Sequence, residues 1–209
     1  MMPDQYELIF WDFDGVIKES VSVKTDAYVE LFRIYGAEVA NKVKHHHLMN
    51  GGMSRYDKIP LYLKWAGLEQ DESEVQNFCG KFSSIVKNKV IASAWVPGVE
   101  DFLHNNKENH TFVLVSATPQ AELEDICNSL KLTGVFSRIY GAPINKSDSI
   151  RVSMINYKVP PSSCLMIGDA EADIQAAQDN EIHFIFRRHQ YNGDLLIRSG
   201  LQTIDDFSV

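Results

Sequence analysis

Short apolar runs punctuate this chain, and each ends in small, hydroxyl or acidic residues. Leu8-Ile-Phe10 is too short for a typical helix and leads into Asp12, Asp14 and Gly15. Val113-Leu-Val115 runs into Ser116-Ala-Thr-Pro119, and Cys164-Leu-Met-Ile167 finishes on Gly168 and Asp169. All three read as buried strands. A further strand is expected at Ile182–Phe186, and a weaker pattern marks one at Arg138–Tyr140.

Between the first two runs the spacing becomes helical. Val23, Ala27, Leu31 and Ile34 predict a helix over Ser22–Tyr35 that stops at Gly36. A polar, basic stretch through His47 leads to a glycine-rich turn, Asn50-Gly-Gly-Met-Ser-Arg55. Ser54 is placed to cap a helix carrying Ile59, Leu61, Leu63 and Trp65, which stops near Gly67. Asp71 or Ser73 starts another, through Val75, Phe78, Phe82, Ile85 and Val86. From Trp95 onward strands and helices alternate, the pattern of a parallel sheet with crossover helices.

The expected fold is therefore α/β. A doubly wound, Rossmann-like parallel-sheet core takes residues 1–17 and 91–209, and an α-helical cap domain of residues 18–90 is inserted into it. Open α/β sheets build their sites beyond the carboxyl ends of the strands. That rule brings Asp12, Asp14, Ser116 and Asp169 to one edge although they lie far apart in the chain.

Composition narrows the class. The 209 residues suffice for one sizeable core or a core plus a small second unit, and a net charge of −8 argues against a nucleic-acid binder. Cys79, Cys127 and Cys164 show no CxxC spacing, so neither a zinc site nor a disulfide framework is indicated. With no signal region and no apolar run of about 18 residues, a cytoplasmic protein without a membrane partner is expected.

The chemistry lies at the strand ends. Residues two apart in a strand face the same side, so Asp12 and Asp14 start out together, and such carboxylates repel unless a cation or a proton intervenes. That suits a Mg²⁺-assisted reaction in which one aspartate attacks and the other shuttles a proton. A strand ending in a solvated acidic turn is the plain alternative. The rest of the chain shifts the balance, because Asp, Ser/Thr, Lys and Asp follow in order, each at a strand end or in a loop.

With Asp12-Phe-Asp-Gly-Val16, Ser116, Lys146 and Gly168-Asp-Ala-Glu-Ala-Asp173, the chain resembles the haloacid dehalogenase superfamily of aspartate-nucleophile phosphatases over essentially its whole length. It is most similar to the phosphoglycolate phosphatase and β-phosphoglucomutase branch, whose helical C1-type cap is inserted after the first motif. The resemblance implies Asp12 as nucleophile and Asp14 as general acid, then base. It implies Mg²⁺ held by Asp12, the Asp14 backbone carbonyl and Asp169. Asp173 binds metal directly, binds it through water, or orients Lys146, and Glu171 is as well explained as a solvated helix-start acid. Ser116, with backbone N–H groups around Ala117 and Thr118, is implied to hold the phosphoryl oxygens, and Lys146 to neutralise phosphoryl charge. Thr118 serves equally well as the helix cap ahead of Pro119.

The expected activity is hydrolysis of a small phosphorylated metabolite, such as a sugar phosphate or phosphoglycolate, through an aspartyl-phosphate. A β-phosphoglucomutase-type phosphomutase is the alternative, weakened because Lys24 stands where those mutases place a histidine. Dehalogenase, phosphonatase and non-catalytic readings account less well for the four motifs. In the cap, Arg55 is expected to read the distal part of the substrate. Lys24, on the first cap helix, is placed either in the cleft or, as the preferred reading, on a solvated face, and His45-His-His47 is not expected to bind metal. A monomer suffices, because the cap closes the site from within the chain.

Overall fold

The computed structural model describes residues 5–195 and 200–208. Its sheet contains β1 (Leu8–Trp11), β2 (Thr111–Pro119), β3 (Arg138–Ala142), β4 (Cys164–Gly168), β5 (His183–Arg187) and β6 (Thr203–Ile204). The spatial order is β3-β2-β1-β4-β5-β6, and every pairing is parallel. Because the chain order reverses beside β1, a crevice opens at the carboxyl end of that strand. In register, Trp11 faces Leu114 on one side and Ile167 on the other. Asp12 therefore leaves the sheet between β2 and β4, its N–H bonded to the Ile167 carbonyl at 3.0 Å.

The uninterrupted apolar runs have a simple cause: both faces of the sheet are covered. Ile9, Trp11, Phe112, Leu114, Leu165 and Ile167 pack on one face, while Leu8, Phe10, Val113, Val115, Cys164 and Met166 pack on the other. Four helices complete the core: α5 (Val99–Asn106), α6 (Gln120–Ser129), α7 (Lys146–Tyr157) and α8 (Glu171–Asp179), numbered after the four of the cap.

The cap helices are α1 (Val21–Phe32), α2 (Ala37–Met49), α3 (Arg55–Trp65) and α4 (Glu72–Ala92). Ser54 and Asp71 accept backbone N–H groups at the starts of α3 and α4, as their side chains predict. An aromatic cluster fills the centre, where Tyr28 stacks on Phe82 at 4.0 Å between centroids and Tyr62 meets Phe32 edge-on. The two segments joining cap to core run antiparallel. Glu19 donates to the Ala94 carbonyl at 2.9 Å and Val96 to that of Ile17 at 3.0 Å.

Several boundaries differ from the sequence reading. The first cap helix ends at Phe32 and tightens into a 3₁₀ turn, Arg33–Tyr35, before Gly36. The polar, basic stretch through His47 forms α2, which buries only Ala40, Val43 and His47 and so carries little apolar pattern. β2 starts at Thr111 and continues through Pro119, β3 runs two residues beyond Tyr140, and β5 lies one residue later than expected. β6 has only two residues at the sheet edge, too few to leave a periodic signal.

Candidate active site

Asp12, Asp14, Ser116, Ala117, Thr118, Arg55, Lys146 and Asp169 line one cleft between core and cap. Asp12 lies directly beyond β1 and is almost fully buried. The turn after it depends on Gly15, whose φ of 79° suits glycine and whose missing Cβ would lie 2.2 Å from an Asp169 carboxylate oxygen.

Lys146 is the first residue of α7, the positive end of a helix, where a cation is ordinarily unfavourable. Two carboxylates reverse that preference. Its Nζ lies 2.7 Å from Asp12 Oδ1 and donates to Asp173 Oδ1 at 2.5 Å. Burial pulls the ammonium pKa down, but Asp12 and Asp173 outweigh it, so Lys146 stays protonated.

Asp173 is fully buried in the first turn of α8. While Oδ1 takes Lys146, Oδ2 accepts the backbone N–H groups of Asp169 and Ala170 at 3.2 and 3.1 Å. Asp173 thus touches Lys146 directly. Asp12, Asp169 and Asp173 still bring ligand oxygens within 4.8 Å of one another. Burial raises all three carboxyls, and mutual repulsion adds to the rise while Lys146 opposes it. Three carboxylates facing one ammonium form a hard, oxygen-only, net-negative cluster, which fits Mg²⁺.

Asp14 occupies a different environment, turned toward the cap. Ser20 donates to its Oδ1 at 2.6 Å, Lys24 forms an ion pair with its Oδ2, and Lys24 also donates to Thr118 Oγ1 at 2.8 Å. Burial works to raise the Asp14 carboxyl, but Lys24 and Ser20 outweigh it and hold it below the usual carboxylate range. Two expectations change here. Lys24 is not on a solvated face, because an anion lies within its reach across the cleft. Thr118 is not a helix cap either: β2 runs through Pro119 and α6 begins only at Gln120. Ser20, by contrast, sits at the start of α1 without capping it, its hydroxyl diverted to Asp14.

Ser116 accepts the Thr118 backbone N–H at 3.1 Å, which leaves its own hydroxyl hydrogen free to donate. Arg55 lines the cleft, yet its guanidinium is held by Glu122 of α6 at 2.5 and 2.8 Å and by Ser83 of α4 at 2.5 Å. The glycine-rich turn brings the cap down on the core. A Cβ on Gly52 would lie 2.6 Å from that of Ala172 in α8. Among the three adjacent histidines, His46 bonds the Tyr62 hydroxyl and His47 bonds Lys58.

Two contributors were not singled out from the sequence. His189 Nδ1 accepts the Tyr191 N–H, so Nε2 carries the hydrogen and donates to Asp169 Oδ2 at 2.7 Å. Burial, reinforced by Arg187, pushes this imidazole down to about 4. Asn192 donates to the backbone carbonyls of Asp169 and Arg187 at 2.9 Å. Both follow β5 in a polar loop, where only the strand-end rule gives a signal.

Residues 9–186 match the family of haloacid dehalogenase-like hydrolases, and the chain belongs to that family. It is also similar to solved structures. One is CbbY from Rhodobacter sphaeroides, as a mutant in complex with xylulose-(1,5)bisphosphate, at 16% identity and a TM-score of 0.77, covering 97% of this chain and 95% of that one. A second is a predicted phosphoglycolate phosphatase from Haemophilus somnus 129pt, at 19% identity, a TM-score of 0.74 and the same coverage. A third is β-phosphoglucomutase from Clostridium difficile, at 22% identity and a TM-score of 0.76, covering 97% and 92%. Identities this low speak to the fold. No curated protein matches the sequence.

Proposed function

We propose that this chain is a Mg²⁺-dependent phosphatase that hydrolyses a small phosphorylated metabolite through an aspartyl-phosphate. The observation that carries the reading is the division of labour between two neighbouring aspartates. Asp12 lies against Lys146 in the carboxylate cluster, whereas Asp14 is bonded to Ser20 and Lys24 across the cleft.

In the first step an Asp12 carboxylate oxygen attacks phosphorus, the bond from phosphorus to the leaving oxygen breaks, and Asp14 in its neutral form, the minor one beside Lys24, gives that oxygen its proton. In the second step Asp14 takes a proton from water, the water oxygen attacks phosphorus, and Asp12 leaves as carboxylate with inorganic phosphate released. The Ser116 hydroxyl, the Ala117 N–H and Lys146 bind the phosphoryl oxygens where negative charge gathers. Asp173 positions Lys146, and His189 orients Asp169. Asp12, Asp169 and the Asp14 carbonyl would hold Mg²⁺, which supplies Lewis-acid stabilisation of the phosphoryl group when bound.

Phosphate release from a panel of phosphorylated metabolites, with Mg²⁺ and with EDTA, tests the reading beside Asp12→Asn. Metal-dependent release that disappears in the variant supports it, and release that persists in folded Asp12→Asn refutes the nucleophile assignment. The phosphomutase reading keeps one specific support, the fold shared with β-phosphoglucomutase. Isomerisation of a hexose 1-phosphate primed with its bisphosphate, without net phosphate release, would favour it.

A further inference from the structure

Four cationic side chains line the cleft, Lys24, Arg55, Lys58 and Lys146, among the described residues. Three already face carboxylates: Lys24 faces Asp14, Arg55 faces Glu122, and Lys146 faces Asp12 and Asp173. Lys58 does not. Its side chain, from α3, is 1% exposed, and its hydrogen-bond partner is an imidazole, His47 Nδ1 on α2 at 2.9 Å.

A buried ammonium without a counter-charge is costly to maintain. Here burial, then the nearby charge of Lys24, pushes Lys58 down to about 7, while Asp14 and Asp57 oppose the fall. His47 offers a lone pair but no charge, since burial and Lys58 hold its imidazole well below the ordinary range. With Lys58 protonated, one N–H goes to His47 and the others remain for a ligand. Tyr28, whose ring centroid lies 5.9 Å from Nζ, walls the same end of the cleft.

We propose that His47 and Lys58 form a cap subsite for a second anionic group, carboxylate or phosphate, at the end of the substrate opposite the phosphoryl group bound by the core. The preferred substrates are then compact metabolites with two anionic ends. This rests on the phosphatase reading for the first end, but the subsite itself depends only on the cap. Arg55, the cation that the sequence pointed to for this task, is neutralised by Glu122, so Lys58 one helical turn later takes it over. An anion entering here supplies the counter-charge that the fold leaves out.

The test compares wild type with Lys58→Met and Lys58→Gln on three probes: 2-phosphoglycolate, fructose 1,6-bisphosphate and glycerol 1-phosphate, whose far end is uncharged. Phosphate release gives kcat/KM, and calorimetry on the Asp12→Asn background gives affinity without turnover. The expected loss on the preferred dianionic probe exceeds that on glycerol 1-phosphate by about 10- to 100-fold, the scale of a lost hydrogen bond to a charged group. Whether phosphoglycolate or the bisphosphate carries the larger loss identifies the second anion. Lys58→Met should also raise the ligand-free Tm, because it removes the unpaired buried charge. Equal losses on all three probes, or none, overturn the subsite while leaving the phosphatase reading intact. Lys58-dependent binding of a dianionic probe without phosphate release does the reverse.

Discussion

Arg55 of the cap and Glu122 of the core grip each other through two hydrogen bonds, of 2.8 and 2.5 Å, in a setting almost closed to solvent. Ser83 also donates to the same carboxylate at 2.5 Å, so α3, α4 and α6 meet at one point. Burial tends to raise Glu122, but the Arg55 bonds prevail and hold it below its ordinary 4.5. A carboxyl depressed in the closed state contributes closure above 4.5 and loses that contribution as pH falls through its lower, closed-state value. Small-angle scattering should therefore show the cap opening in acid. Glu122→Gln should remove that pH dependence, and Arg55→Met should open the cap at neutral pH by leaving a carboxylate unpaired.

Gly52 offers a second way to hold the cap open. Its absent side chain leaves room for Ala172, whose Cβ sits on a core helix and cannot swing aside. Gly52→Ala should lower kcat/KM and increase proteolysis at the linker segments around Ile17 and Trp95, at a cost to closure of about 1–3 kcal/mol. An unchanged proteolysis pattern would show that the turn yields instead.

The carboxylate cluster ties metal binding to pH. Burial, with the neighbouring acids, raises Asp12 from 3.8 to about 6 against the pull of Lys146, and Asp169 lies well above 3.8 as well. Across that window the folded state holds more protons than the unfolded chain, so metal-free stability falls as pH climbs from about 4 to 6. Mg²⁺ should reverse the loss. At a hundredfold excess over Kd it should add about 2.7 kcal/mol. Calorimetric Tm should then rise with Mg²⁺ at pH 7.5 and barely at pH 4.5, and an equal rise at both would contradict the assignment of Asp12 and Asp169 as ligands.

Lys24 bears on Asp14 alone among the site carboxylates it pairs with. Lys24→Met should reduce kcat by roughly 10- to 100-fold, the scale of a charge-assisted hydrogen bond, with far-ultraviolet dichroism unchanged. Lys24→His retains a donor and should recover part of the loss. Steady-state kinetics with saturating Mg²⁺ separates this from a binding defect, since KM should move less than kcat.

Much of this was legible along the chain. The strand cores, the crossover alternation and the helical insertion follow from hydrophobic spacing, because burial selects residue types at fixed intervals. Three strand ends and one loop before a helix, with charged or hydroxyl residues in a known order, were enough to assemble Asp12, Ser116, Asp169 and Lys146. α2 carries no clear apolar period because its buried positions include a histidine, and β6 carries none because it has two residues.

The pairings were not legible. Sequence determined which residues can carry charge and on which element each sits. Only the tertiary structure decided which cation meets which anion: Lys24 with Asp14 ten residues away, Lys146 with Asp173, and Arg55 with Glu122 across the cleft. The same decision left Lys58 facing an imidazole. Hydrophobic burial is read by spacing because every apolar neighbour serves equally well. Ion pairing depends on a specific contact within a few ångströms, and the packing of cap on core alone creates it.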